Sequence, residues 1–334
     1  VEFGSGAAGP IVSRYFKEHG ATVIKVESRR HPDFLRVMAA NSSHGLDYAQ
    51  LAGDKPDLLM LSTCLNGQDG PHKDDPGFGG EGAALSGLNF LTDWPDREPV
   101  GPYGTITDSL APRFAASALA TGLLYRRRTG NGLHIDIAQV ETGVYSLSPW
   151  LLGYGSHGQC SSRCGNRSGR AAPHGVCPCA GDDRWIAIAC WNDHEWLHLA
   201  TILGMDWQRY PTLAARQAAE DEVEDVISSV TRNREAERLA KQLQYAGIEA
   251  VPVTDFEQLL RDPQLQQRDH FVRLQRQRTG ESIYERNGFR LSYSASSIEC
   301  PSPLLGEHTN SILESVLGYS TAQVCALHDS GALE

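Results

Sequence analysis

A carboxylate can attack an acyl carbon, or move a proton, only where it is kept ionised and within reach of a substrate. Asp108 meets the first requirement on sequence. It lies in GPYGTITDS, residues 101–109, with hydroxyls at Thr105 and Thr107 and with Gly101 and Gly104 allowing close approach. The residues after it, 109–128, are patterned as a helix. Leu110, Phe114, Ala118 and Leu119 share one face, followed by Gly122, Leu123 and Tyr125. Pro112 is expected in the first turn, where a missing N–H costs little. Arg126, Arg127 and Arg128 close the last turn, where the helix dipole favours cations. Two readings of Asp108 follow. It is an N-cap that accepts the first free amides, or it is a nucleophilic or acid/base carboxylate held ionised by the helix N-terminus. Spacing alone does not choose between them.

The elements that must position it can be read in order. Thr129-Gly130-Asn131-Gly132 stops the helix, and Leu133, Ile135 and Ile137 alternate with His134 and Asp136 as a strand. Upstream, 58–61 is an apolar run suited to a buried parallel strand. The glycine- and proline-rich loop 66–80 follows it, at the strand end where open α/β sheets bind ligands. Gly79 and Gly80 end that loop, and Glu81 is a possible second carboxylate near Asp108. At the N-terminus, GSGAAG (4–9) spells G-x-G-x-x-G, before a helix at 10–19, a strand at 22–26 and Glu27. This is close to a dinucleotide fingerprint. An NAD enzyme also needs a nicotinamide site and a second mononucleotide-binding half, and neither is visible. Arg29, Arg30, His31 and Arg36 form a basic cluster, either a solvated loop or a seat for phosphates.

The bulk numbers bound the rest. The chain has 334 residues, 40% hydrophobic, with formal net charge −11. That is enough for one large domain or two, and the acidity argues against nucleic acid as a partner. There is no apolar run of transmembrane length and no visible signal peptide, so a cytoplasmic protein is expected. VEF at residues 1–3 reads as the tail of a strand, and an N-terminally truncated chain is the expectation. Eight cysteines are present; Cys160, Cys164, Cys177 and Cys179 are spaced poorly for a zinc ribbon, and free thiols with no metal are expected.

Taken together, GPYGTITDS, the helix ending RRRTGNG and the following HIDIAQVE resemble the class III CoA-transferases, the family of formyl-CoA transferase and carnitine CoA-transferase. GAAGP (6–10), HGATVIKVE (19–27), GLDYAQL (45–51), KPDLLMLSTCLNGQDGP (55–71), DPQLQQRDHF (262–271) and PLLGEHT (303–309) fit the same family in its order. The resemblance implies that Asp108 is the catalytic nucleophile, carrying CoA from an acyl-CoA to a carboxylic acid through an aspartyl-CoA thioester. Coenzyme A is then a substrate rather than a resident cofactor. The βαβ unit would serve CoA, with Ala7, Ala8, Arg29, Arg30, Arg36, Gly79 and Gly80 as contacts. The implied fold is α/β: a Rossmann-like open parallel sheet in a large domain (1–150 and 300–334), a linker (151–175) and a smaller α+β domain (176–299), assembled as an interlocked homodimer.

Three departures qualify the resemblance. Relatives carry a substantial segment between the counterparts of Arg36 and Gly45, where this chain has only VMAANSSH (37–44). An internal deletion is expected, and with it weakened CoA binding; a damaged or non-catalytic CoA-transferase-like subunit is the alternative reading, and NAD binding through GSGAAG ranks below it. Phe78-Gly79 stands where the racemase branch has a His-Asp pair, and Ala7 stands where formyl-CoA transferase has glutamine. Both argue against those chemistries. In the C-terminal half, a strand is expected at 184–189, helices at 193–202, 214–230 and 234–245, and strands near 271–274 and 289–292. GNRSGRAAPHG (165–175) is the nearest match to the family's glycine loop, and the acidic run EDEVED (220–225) reads as a solvated helix face.

Overall fold

The structure, a computed structural model, describes residues 1–3, 6–27, 46–102, 104–276, 278, 280–294 and 296–333. Arg29, Arg30, Arg36, the 37–44 junction and the first two residues of GSGAAG lie outside the described residues. The chain divides into two compact units. The first comprises Val1–Phe90, Gly101–Cys160 and Gln267–Glu334; the second comprises Leu91–Val100 and Ser161–Gln266.

In the first unit, strand β1 (Glu2–Phe3) and strand β2 (Lys25–Val26) pair in parallel around the helix Ala8–Glu18. This is the expected βαβ unit, with a shorter second strand. Strand β3 (Leu59–Cys64) pairs in parallel with β4 (Leu133–Ala138), Leu59 opposite Leu133 and Cys64 opposite Ala138. Among the described residues the two parallel pairs are not hydrogen-bonded to each other, and the architecture is mixed α/β. The helix Ile106–Thr129 is the crossover between β3 and β4, and it ends in left-handed Gly130 with φ 78°.

That helix differs from its sequence pattern in two ways. It starts at Ile106, so Pro112 lies inside it rather than in the first turn. Proline has no N–H, and the carbonyl of Asp108, four residues earlier, therefore loses its helical donor. The buried face is also not the one with the large side chains. Thr107, Asp108, Ala111, Pro112, Ala115 and Gly122 are buried, whereas Leu124 and Tyr125 are exposed. Small residues win this face because they let the helix lie close on the strands. A Cβ on Gly122 would be 3.2 Å from Ile135 Cδ1 and 3.4 Å from Leu59 Cδ2.

After β4 the chain forms two helices, Gln139–Ser146 and Ser148–His157, with Pro149 in the first turn of the second. Residues 151–157, read as linker, are thus helical. Strands β8 (Phe271–Arg276) and β9 (Gly280–Glu285) form an antiparallel hairpin that belongs to the first unit. The strand expected at 289–292 is not one. The partner of β8 is the nearer segment, because left-handed Gly280 (φ 74°) lets the chain double back at once.

The second unit is built on an antiparallel sheet in the order β5 (His174–Pro178), β6 (Trp185–Ala189), β7 (Glu249–Val253). The helices Asp193–Leu203, Glu220–Thr231 and Ala236–Tyr245 supply the rest of its core, where Trp196, Leu199, Ile227 and Leu243 are fully buried. The acidic run at 220–225 is not simply solvated. Arg167 pairs with Glu224 at 2.8 Å and with Asp221 and Glu220, and lies 5.6 Å from the Trp94 ring centroid. His174, read as a loop residue, begins β5; its ring bonds the Asn166 carbonyl and meets Trp191 edge-on at 5.8 Å. The eight cysteines are free, with Cys177, Cys179 and Cys190 buried and Cys160 and Cys164 exposed. Burial pushes the Cys177 thiol up to about 11 and the Cys190 thiol up to about 12. Among the described residues no group of three or more His, Cys, Asp or Glu side chains is placed to hold a metal, and no helix is long and apolar enough to cross a membrane.

Candidate active site

Three helix starts converge on one carboxylate. Asp108 is the third residue of Ile106–Thr129, and the residue that precedes this helix, Thr105, makes no side-chain cap. The N-cap reading of Asp108 therefore fails. Its carboxylate turns off its own helix and accepts from two others. The N–H of Gly79, the first residue of the helix Gly79–Leu85, donates to Oδ2 at 3.1 Å. The side-chain amide of Gln139, the first residue of the helix after β4, donates to Oδ1 at 2.9 Å. An ionised carboxylate only accepts, so the Gln139 NH₂ must be the group that faces it. The other end of that amide is held too. The Thr107 hydroxyl lies 3.2 Å from Gln139 Oε1 and 3.0 Å from the Gly79 carbonyl, and its one proton is shared between them. All four residues are buried, Thr107 completely and Asp108 with 8% exposed.

Strand ends set this arrangement. The loop leaving β3 delivers Gly79, and β4, in register beside β3, delivers Gln139 directly at its end. Glycine is required where the helices meet. A Cβ on Gly79 would stand 2.6 Å from Asp108 Oδ2 and 2.8 Å from the Thr105 carbonyl, and one on Gly143 would stand 2.5 Å from Ser86 Oγ. One on Gly82 would overlap Thr107 Oγ1.

The chemistry follows. Each carboxylate oxygen has one donor and keeps a second lone-pair direction. The Gly79 N–H and the Gln139 amide hold the two oxygens in fixed directions.

The other candidate residues are placed as follows. Gly80 is half-buried, 3.9 Å from the Gly104 carbonyl as measured from a would-be Cβ, and leaves room beside Gly79. Glu81 is exposed, and its Oε2 accepts the Phe78 N–H at 2.9 Å, a bond that holds its carboxyl below the usual range. It caps its own helix and is no part of the Asp108 network. Ala7 is the exposed residue before the helix Ala8–Glu18, and Ala8 is buried. Glu27 is engaged by Lys25 at 2.5 Å. Gln139 was missed by sequence reasoning. The signal was available in HIDIAQVE: a glutamine at the point where alternation stops and a helix begins.

The site is thus a buried, helix-borne carboxylate at the C-terminal ends of parallel strands, with a hydrogen-bond donor on each oxygen. The model of CoA-transferase family III matches residues 39–309. A succinyl-CoA–D-citramalate CoA-transferase of Chloroflexus aurantiacus is 29% identical over 85% of this chain and 71% of its own length. A succinate–glutarate CoA-transferase of Agrobacterium fabrum is 30% identical over 81% of this chain and 68% of its own length. A CAIB/BAIF family protein from Brucella suis has the same fold, with a TM-score of 0.83, 24% identity and coverage of 94% of this chain and 97% of that one. The chain belongs to CoA-transferase family III.

Proposed function

We propose that the protein transfers CoA from an acyl-CoA to a carboxylic acid with Asp108 as nucleophile. The observation that supports this best is the buried Asp108 carboxylate with a separate donor on each oxygen. One Asp108 oxygen attacks the thioester carbonyl, and the C–S bond breaks to give a mixed anhydride and the CoA thiolate. The thiolate attacks Cγ of Asp108, expelling the donor acid as its carboxylate and leaving an aspartyl-CoA thioester. The acceptor carboxylate attacks that thioester and the steps run in reverse, returning Asp108. Gly79 N–H and the Gln139 amide hold the oxyanion formed at Cγ. No net proton is consumed.

The two relatives described above act, by name, on four- and five-carbon dicarboxylates. A succinyl-CoA or similar dicarboxylate pair is accordingly proposed here in preference to formate or oxalate. Ala7, Ala8, Gly79, Gly80 and the arginines at 29, 30 and 36 are proposed to contact CoA, on a Rossmann-like domain. A homodimer is also proposed. Trp150, Leu151, Leu152 and Tyr154 of the helix Ser148–His157 are all exposed, a patch that a partner chain would cover.

Incubation with succinyl-CoA followed by hydroxylamine tests the intermediate. Asp108 is expected to become a hydroxamate, seen as a peptide mass shift; label found only on a cysteine, or nowhere, overturns the reading. A second expectation concerns Gln139. Gln139→Ala removes one oxyanion donor and should lower kcat by about 10- to 100-fold with little change in KM. Gln139→Glu sets a second carboxylate against Asp108. Like charge disfavours ionisation and raises the pKa of the nucleophile. Activity should then be lost at a higher pH on the acid side. An unchanged acid limb in the pH–kcat profile would show that Gln139 is not in contact with the working group.

A further inference from the structure

The open end of the β8–β9 hairpin brings two basic segments together. Phe271 pairs with Glu285, and the next residue out, Arg286, donates its N–H to the His270 carbonyl at 2.8 Å. This register sets Arg268-Asp269-His270 beside the segment 286–290, which contains Arg286, Phe289 and Arg290. The two segments line a cleft of about 230 Å³. Three guanidiniums and an imidazole meet there in a chain of net charge −11. Asp269 is the one carboxylate in the lining among the described residues. The acids beside the cleft are committed elsewhere: Glu285 to Arg14 at 2.5 Å, and Glu18 to Arg14 at 2.7 Å and Asn287 at 2.6 Å.

Several arginines elsewhere are committed to carboxylates. Arg14, Arg167, Arg184, Arg216 and Arg273 each pair with a carboxylate. Arg268, Arg286 and Arg290 pair with none among the described residues. The Arg286 Nη1 reaches the Ser296 carbonyl at 3.3 Å, but its Nε is buried with no acceptor. The Nη donors of that guanidinium, rather than the buried Nε, are those an anion in the cleft could meet.

We infer that this cleft is an anion site for a phosphoryl group. Three arginines less Asp269 leave two positive charges, which matches a phosphoryl dianion and exceeds what one carboxylate neutralises. Forked guanidinium donors suit its tetrahedral oxygens. Phe289, stacked on His19 at 5.7 Å, gives the cleft a fixed apolar wall. The site is independent of the role given to Asp108. Its ligand has two sources, a free phosphate compound or the phosphates that CoA carries.

Isothermal titration of the whole chain with inorganic pyrophosphate at low ionic strength tests it. Binding is expected, weakening as salt is raised. Arg286→Gln should weaken it by about tenfold or more, as should Arg290→Gln. Arg290 is exposed and its replacement leaves the fold intact, so R290Q carries the test should R286Q unfold by circular dichroism. Repeating the titration at saturating CoA separates the sources: competition assigns the cleft to the CoA phosphates, and unchanged pyrophosphate affinity assigns it to a free phosphate compound. No heat of binding in the wild type, or equal affinity in wild type and R290Q, overturns the proposal.

Discussion

Asp108→Asn is expected to lower kcat by on the order of 10⁴-fold or more while the protein stays folded. The loss is large because the carboxylate oxygen is the bond-forming atom, and an amide at the same place does not attack a thioester. The fold tolerates the change because the network can be rebuilt. If Gln139 turns its amide over, its oxygen accepts from the new NH₂ of residue 108. Its own NH₂ then donates to the Thr107 hydroxyl, whose proton goes to the Gly79 carbonyl. Asp108→Ala offers no such rebuilding. It leaves the Gly79 N–H and the Gln139 amide buried without acceptors, at about 1–3 kcal/mol each. The two variants should therefore be equally inactive but differ in Tm, with the alanine variant lower. Transfer by purified Asp108→Asn within tenfold of wild type would remove Asp108 from the mechanism.

Gly79→Ala carries the second large effect, through one methyl group. Its Cβ would stand 2.6 Å from Asp108 Oδ2 and 2.8 Å from the Thr105 carbonyl. The first contact can be relieved by turning the carboxylate, the second only by moving backbone. Relief by turning breaks the Gly79 N–H bond and points the nucleophile away from its donors. The expected outcome is a loss of 10²–10³-fold in kcat. A stability cost of about 1–3 kcal/mol, from overpacking, should accompany it. Thermal melts and single-turnover hydroxamate trapping measure the two parts. Gly80→Ala, with nothing nearer than 3.9 Å to its Cβ, should leave Tm unchanged and so separate crowding from the loss of a glycine as such. A Gly79→Ala enzyme with wild-type trapping and wild-type Tm would mean that the helices Gly79–Leu85 and Ile106–Thr129 are not packed as described.

Much of the local structure was legible because it depends on local chemistry. Alternation at Leu133, Ile135 and Ile137 marks β4, and glycine stops the helix at 130. Where two local signals competed, the reading slipped. Phe289-Arg290-Leu291-Ser292 alternates, whereas 280–285 does not, yet β8 pairs with 280–285 because it is the segment that follows β8 at once. Glu220, Asp221 and Glu224 read as a solvated acidic face because Arg167, which engages them, is more than fifty residues away along the chain.

By itself the sequence determined which residue could be the nucleophile, the strand–helix–strand order around it and, through the ordered motifs, the family. These are properties of neighbours in the chain: helix periodicity, turn residues, a carboxylate at a helix start. Only the tertiary structure decided what that carboxylate does at rest. Asp108 is gripped by Gly79 and Gln139, 29 and 31 residues away, and not by its own helix. It also decided which helix face is buried. The hydrophobic pattern favours Leu110 and Phe114, yet Ala111, Ala115 and Gly122 are the buried ones, with Gly122 against Leu59 and Ile135 of the strands. Packing chose the small residues because the carboxylate can be reached by two other helix starts only if the helices approach to the distance that glycine and alanine allow.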